Sequence, residues 1–297
     1  IQDTCVVCRV EHVRSGKITG VHYKDPNGKS YKVTGKLFVL AANAIETSKL
    51  LLMSTSSRYP NGVANSSDQV GRNLMDHPGI GVSFVAKEKL WPGRGPQVIA
   101  CIPNFSDGDF RSQHSAIKID FNNFAVTNSV TKYLLSKGVY GAKLDEMIHD
   151  YAARWVSIGC MLDILPNPDN RITVSKDRKD ILGIPYPEVR YAIDNYVDRG
   201  AEFVRGHLNN IAKIMGGTEI VHSVGYANNN HIMGTLIMGN DPKNSVVDKN
   251  LRTHDHENLF IASSGVMPSA GTVNCTLTIS ALSMRLADTL AAELKGA

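Results

Sequence analysis

Two side chains in this sequence have the type and setting for acid–base chemistry on a small molecule, His231 and Asn274. His231 closes the polar run Tyr226-Ala-Asn-Asn-Asn-His231 and opens the turn Ile232-Met-Gly-Thr-Leu-Ile-Met-Gly239. An imidazole titrates near neutral pH, so a histidine placed there suits proton abstraction, although a satisfied core histidine would look the same. Asn274 stands in Gly271-Thr-Val-Asn-Cys-Thr276, where a short apolar strand (258–262) passes through a small-residue turn into an apolar helix. Its amide can hold a substrate oxygen or cap the helix. The small residues from Ser263 and Ser264 to Cys275 and Thr276 let a ligand approach the backbone, and the helix start offers free N–H groups to negative charge.

Other reactive residues are less well arranged. His77 and the pair His254-Asp-His256 suggest a metal, but no third ligand cluster accompanies them, so no metal site is expected. Cys5-Val-Val-Cys8 has redox or zinc spacing on a strand-like run, where positions three apart point to opposite faces. Core thiols are the simpler reading.

The elements that must position His231 and Asn274 follow from periodicity. Residues 4–13 and 17–24 alternate, Asp25-Pro-Asn-Gly28 is a turn, and 30–34 adds a third strand, together an antiparallel unit. Lys36-Leu-Phe-Val-Leu-Ala-Ala42 reads as a strand buried on both faces and runs into a helix, 44–54, as in a doubly wound layer. Loop chemistry over 59–78 marks a crossover. Beyond it, strands at 81–86, 97–102, 116–121, 155–162, 171–174 and 187–191 predict a mostly antiparallel sheet with one wet face, interrupted by a helix at 140–149. Trp155, Phe121 and Asn123 are the mid-sheet residues that could face a pocket. Asp194 caps a long helix, 195–215, with Val197, Ala201, Val204, Leu208 and Ile211 at helical spacing. The fold class is α+β with an α/β part.

At 297 residues the chain can form one large or two medium domains. Against 28 acidic residues stand 32 Lys and Arg, a formal charge of +4 without a basic run, which argues against nucleic acid and membrane surfaces as partners. The longest apolar run, 37–42, is far short of the ~20 residues that span a bilayer. Ile1-Gln-Asp-Thr4 lacks an export signal and a start methionine, as expected of a processed chain or a fragment. Five cysteines do not make a disulfide framework, and free thiols favour the cytoplasm.

Several strings resemble the glucose–methanol–choline (GMC) flavoprotein oxidoreductases. These are Phe38-Val-Leu-Ala-Ala-Asn-Ala-Ile-Glu-Thr-Ser-Lys-Leu-Leu-Leu-Met-Ser54, Val70-Gly-Arg-Asn-Leu-Met-Asp-His-Pro78, His231-Ile-Met-Gly-Thr-Leu-Ile-Met-Gly239, Ser245-Val-Val-Asp248, Asn258-Leu-Phe-Ile-Ala262 and Gly271-Thr-Val-Asn-Cys-Thr-Leu-Thr-Ile279. They fall in the family's order over nearly the whole chain and look most like the branch that holds gluconate, fructose and glucose dehydrogenases and pyranose oxidase. The resemblance implies FAD as cofactor, a sugar, polyol or glycoside as substrate, His231 as base and Asn274 as the partner that orients the oxygen. Many relatives carry a second His at the position of Asn274, and Pro at that of Cys275. By the same likeness the backbone of Cys275 and Thr276 meets the flavin, where Cys275 brings oxidative sensitivity. Ser263 and Ser264 meet the ribityl and phosphates, and Val7 the adenine.

The resemblance also implies a division into 1–75, part of a Rossmann-like FAD-binding domain; 76–217, a substrate domain with a mostly antiparallel sheet flanked by helices; 218–254, a catalytic loop and return crossover; and 255–297, the last strand and helix of the FAD domain. The family's Gly-x-Gly-x-x-Gly turn has no counterpart here. A second polypeptide or fragment carrying that turn is therefore the expected partner. The competing expectation is a non-catalytic subunit that lost the turn and binds a glycan or a protein.

Overall fold

The computed structural model describes residues 1–295. Strands β1 (Val6–His12), β2 (Ile18–Lys24) and β3 (Ser30–Val33) form the expected antiparallel unit. The Asp25 carboxylate closes its turn by accepting the N–H groups of Asn27 and Lys29, each at 2.9 Å. Next, β4 (Phe38–Leu40) leads into α1 (Ala44–Met53), capped by Asn43, whose side-chain oxygen accepts the Ile45 N–H at 2.8 Å.

The large sheet contains β5 (Pro78–Val85), β6 (Val98–Ile102), β7 (Ile117–Asn122), β8 (Trp155–Leu162) and β11 (Thr218–His222) in the order β11-β5-β8-β7-β6, with β12 (Ala227–Asn228) also on β5. Every pairing in it is antiparallel. Helices α2 (Thr127–Ser136) and α3 (Gly141–Arg154) cover one end around Val85 and Trp155. Residues 127–136 are rich in Thr, Ser and Asn, so sequence periodicity does not reveal α2. The hairpin β9 (Arg171–Lys179) and β10 (Pro185–Arg190) pairs with itself and packs on α1 instead of joining the large sheet as expected. Its start is tied elsewhere: Ile172 N–H donates to Gly71 O and Leu74 N–H to Asn170 O.

Strand alternation gives the large sheet two different faces. Ile80, Val82 and Phe84 of β5, Val156, Ile158 and Leu162 of β8, and Ile117 and Ile119 of β7 are buried in one cluster with α4 (Asn195–Ile214). Asp194 starts α4 by accepting the N–H groups of Tyr196 and Val197, and Val197, Ala201, Val204, Leu208 and Ala212 form its buried stripe. The other face carries Gly79, Gly81 and Ser83, then Met161, Gly159 and Ser157, then Lys118, Asp120 and Asn122, aligned in three cross-strand rows. This is the wet face, on β7 one residue out of phase with the expected Phe121 and Asn123. Trp155 belongs to the end cluster and Phe121 packs against the α4 core. Asn123 is buried, its amide donating to Arg94 O and Pro96 O. None of the three lines the wet face.

The chain returns to its beginning through β13 (Leu259–Ile261), parallel to β4 with Phe38 opposite Leu259 and Leu40 opposite Ile261. Asn258 secures this return, accepting the Ile18 N–H and donating to Ile18 O and Lys36 O. Among the described residues this parallel sheet has two strands, and Val39 of β4 is 41 % exposed rather than buried on both faces. The final helix, α5 (Thr276–Lys295), buries Leu286 but leaves Leu277 83 % and Met284 72 % exposed. Parallel sheets are ordinarily covered on both faces, so this layer presents apolar surface fit for further structure. No helix among the described residues is long and apolar enough to cross a membrane.

Leu208 is fully buried at the centre of the α4 stripe. Leu208→Ala is expected to cost about 2–5 kcal/mol in urea denaturation. Glu202→Ala, on the exposed face of the same helix, is expected to stay within ~0.5 kcal/mol.

Candidate active site

The loop before β5 and the loop after β12 are joined back to back. Met75 and Met233 exchange both backbone hydrogen bonds at 2.9 Å. The Asp76 carboxylate accepts the N–H of His231 at 2.8 Å and of Asn230 at 3.2 Å, while the Asn229 amide donates to His77 O at 2.7 Å. Gly234 allows this closeness, since it has φ +87° and a Cβ there would lie 2.1 Å from Asn73 O. From the other side Ser264 donates its hydroxyl to Ile232 O at 2.6 Å. His231 is thus held through backbone on both flanks, and its ring is free to make contacts of its own.

Those contacts form a chain of side chains. His77, fully buried, places Nε2 3.0 Å from Gly271 O and Nδ1 2.9 Å from Nδ1 of His231, with the rings edge to face. His231 Nε2 meets the Asn274 amide nitrogen at 3.2 Å. Lys118 donates to the Asn274 amide oxygen at 3.2 Å, and its Nζ lies 3.0 Å from Asp120 Oδ1. Burial pushes the His77 and His231 imidazoles below their ordinary range. At His231 the Asp76 carboxylate opposes that shift and the Lys118 ammonium adds to it. Both shifts favour the neutral imidazole.

His231 and Asn274 open onto a cleft of about 610 Å³ whose floor is the wet face of the sheet, with Gly81, Gly159, Asp120, Asn122, Ser83 and Ser157 among its lining. The other residues singled out in the sequence are distributed around this point. Cys275 is buried next to Asn274, and burial pushes its thiol up. Thr276 is the exposed first residue of α5. Ser263 caps a short 3₁₀ turn by accepting the Gly265 N–H, and Ser264 spends its hydroxyl proton on the His231 loop. Val7 lies away from this group, on a second cleft of about 450 Å³ with Val39, Leu40, Ala41 and Glu46 at the carboxyl end of β4.

Asp76, His77, Lys118 and Asp120 are the site residues that sequence reasoning passed over. His77 was considered only as a metal ligand. Lys118 and Asp120 carried one usable signal, their period-two placement on a predicted strand. His254 bonds Ser245 Oγ, and His256 bonds Gly16 O and the Ala64 N–H. Among the described residues no three His, Cys, Asp or Glu side chains could together hold a metal ion.

Comparison with known proteins agrees with this arrangement. The sequence matches the GMC oxidoreductase family over residues 2–79 and 166–283. It is 50 % identical over 290 residues to the fructose dehydrogenase large subunit of Gluconobacter japonicus, covering 98 % of this chain and 53 % of that one. It is 29 % identical over 301 residues to 2-methyl-1,2-propanediol dehydrogenase of Mycolicibacterium austroafricanum, covering 94 % and 52 %. The chain therefore spans about half the length of these curated relatives. The fold superimposes on an FAD-dependent oxidoreductase from Chaetomium thermophilum with a TM-score of 0.65 at 14 % identity, covering 99 % of this chain and 62 % of that one. With the two matched segments meeting at the His77–His231 contact, the chain belongs to the GMC oxidoreductase family.

Proposed function

We propose that this chain carries the substrate-oxidising part of an FAD-dependent enzyme that acts on a CH–OH group of a sugar, polyol or glycoside. His231 is the base, and Asn274 orients the oxygen. The observation that carries the reading is the contact between His231 Nε2 and the Asn274 amide at the edge of a polar cleft. The names of two relatives, a fructose dehydrogenase subunit and a diol dehydrogenase, support the substrate class.

The hydrogen-bond chain supports a definite tautomer at His231. Gly271 O can only accept, so His77 carries its proton on Nε2 and leaves Nδ1 bare. His231 must then donate from Nδ1 to His77, and its own Nε2 keeps a lone pair toward the cleft. Lys118, by donating to the Asn274 oxygen, turns the amide nitrogen toward that lone pair. A substrate hydroxyl entering between them gives its proton to His231 Nε2 and receives an N–H from Asn274. The Lys118 charge polarises that amide and favours the alkoxide that develops.

The residues present fit FAD. The apolar cleft at Val7 and the carboxyl end of β4 suits an adenine, and the N-terminal amides of α5, at Cys275 and Thr276 beside Asn274, suit the electron-rich edge of a flavin. When bound, the cofactor accepts the hydride. A further segment with the Gly-rich turn, in the same longer protein or in a partner, completes the grip on its pyrophosphate. The exposed edge of β4 and the apolar side of α5 are the surfaces such a segment would cover.

Three outcomes are expected. His231→Ala in the flavin-loaded enzyme should slow flavin reduction by substrate roughly 10²–10⁴-fold; an unchanged rate in stopped-flow measurements would remove His231 as the base, whereas a native enzyme whose flavin no sugar or polyol reduces would favour a non-catalytic binding subunit. Because His231 must be deprotonated to act and its pKa is lowered, the acid limb of kcat/KM should fall below pH ~6.5. Lys118→Met removes a positive neighbour, so that limb should move to higher pH. Nitrogen-15 NMR should find His231 protonated on Nδ1 and bare on Nε2, and the opposite tautomer would contradict the hydrogen-bond chain.

A further inference from the structure

The cleft beside His231 is more elaborate than proton removal requires. Its floor is three cross-strand rows: Gly79, Met161 and Lys118 beside the catalytic pair, then Gly81, Gly159 and Asp120, then Ser83, Ser157 and Asn122. The middle row is a trough. A Cβ added at Gly159 would meet nothing within 4 Å except the Asn122 amide nitrogen at 3.1 Å. Beyond it the Ser83 and Ser157 hydroxyls lie 3.3 Å apart.

One carboxylate stands in this trough, Asp120, 9 % exposed and lining the cleft. Its Oδ1 is closed to solvent, and among the described residues no group donates an aligned hydrogen bond to the carboxylate. Lys118 Nζ is 3.0 Å away in ion contact but off hydrogen-bond alignment, and its aligned bond goes to Asn274. A carboxylate at a cleft with a charge partner but no aligned donor keeps acceptor capacity for a ligand hydroxyl. The Lys118 ammonium pairs with Asp120 and links it to the amide that faces the reacting oxygen, so the two positions are fixed relative to each other.

Resting on the oxidation proposed above, we infer that Asp120 is a second substrate anchor: its carboxylate accepts a hydrogen bond from another hydroxyl of the same polyol while His231 and Asn274 hold the one being oxidised. The glycine trough receives the carbon skeleton, and the Ser83, Ser157 and Asn122 row meets hydroxyls farther along it. Selection for polyhydroxylated substrates then comes from the floor of the sheet. A mono-alcohol leaves the carboxylate without its donor, which is the kind of mismatch that hydrogen-bonding sites reject strongly.

The test uses the flavin-loaded enzyme with the segment that completes it, and two substrates that differ by one hydroxyl, 2-methyl-1,2-propanediol and 2-methyl-1-propanol, with D-fructose as the sugar. The native enzyme should reduce its flavin with the diol at least ~100-fold more efficiently in kcat/KM than with the mono-alcohol. Asp120→Leu should bring the two within ~5-fold of each other, the diol losing far more than the mono-alcohol. Asp120→Asn, which keeps the shape and one acceptor, should fall between and serves if the Leu variant does not fold. Calorimetric binding of D-fructose to His231→Ala enzyme, which does not turn over, should weaken at least ~10-fold when Asp120→Leu is added. Equal losses on diol and mono-alcohol, or unchanged fructose binding, would overturn the anchor. Full flavin reduction by His231→Ala would overturn the oxidation mechanism instead, leaving the diol preference to be read on its own.

Discussion

The Asp76 carboxylate receives two backbone N–H groups from a loop 154 and 155 residues away, and the active centre depends on that clamp. Hydrogen bonds to a charged acceptor are the stronger kind, about 1.5–3 kcal/mol each. Here two of them, with the Met75–Met233 pair beside them, fix where the loop carrying His231 meets the strand that begins at Pro78. Proline suits that place, because the first residue of a strand can dispense with its N–H. The clamp acts on the backbone at Asn230 and His231, so the imidazole is positioned without using any of its own nitrogens.

Those two nitrogens are then assigned from both sides. The carbonyl of Gly271, in the turn that carries Asn274, sets the proton on His77, and His77 sets the proton on His231. Lys118, from the sheet, sets the amide of Asn274. Three separate stretches of chain therefore converge on one pair of atoms, and each contributes a donor or acceptor that leaves a single arrangement of protons. Burial favours the neutral form of both imidazoles, as the role of base proposed for His231 requires.

Much of this was legible in the sequence where local physics decides. The turn at Asp25 to Gly28, the cap at Asp194 and the stripe Val197, Ala201, Val204 and Leu208 are local signals, and each is where its residues predicted. His231 and Asn274 were legible as a pair through family resemblance, and the fold brings them into contact. On β7 alternation was clean, with Ile117, Ile119 and Phe121 on one face and Lys118, Asp120 and Asn122 on the other, yet the expectation set Phe121 and Asn123 toward a pocket. Three kinds of information were not legible. The pairing of β9 with β10 instead of the large sheet depends on ties to Gly71 and Asn170 that no short window contains. The role of His77 depends on a neighbour 154 positions away, and in the sequence it was only the middle of Asp-His-Pro. The strand at β4 read as buried on both faces, yet Val39 is open, because the layer it belongs to has only two strands among the described residues.

The central claim is that the lone pair on His231 Nε2 removes the substrate proton, and chemical rescue tests it most directly. Flavin reduction by D-fructose or 2-methyl-1,2-propanediol is followed in His231→Ala enzyme as imidazole is added at several pH values. The account predicts that imidazole restores a large part of the lost rate, in proportion to its neutral fraction. A defect that imidazole leaves untouched at every pH, with substrate affinity and flavin content intact, would contradict it.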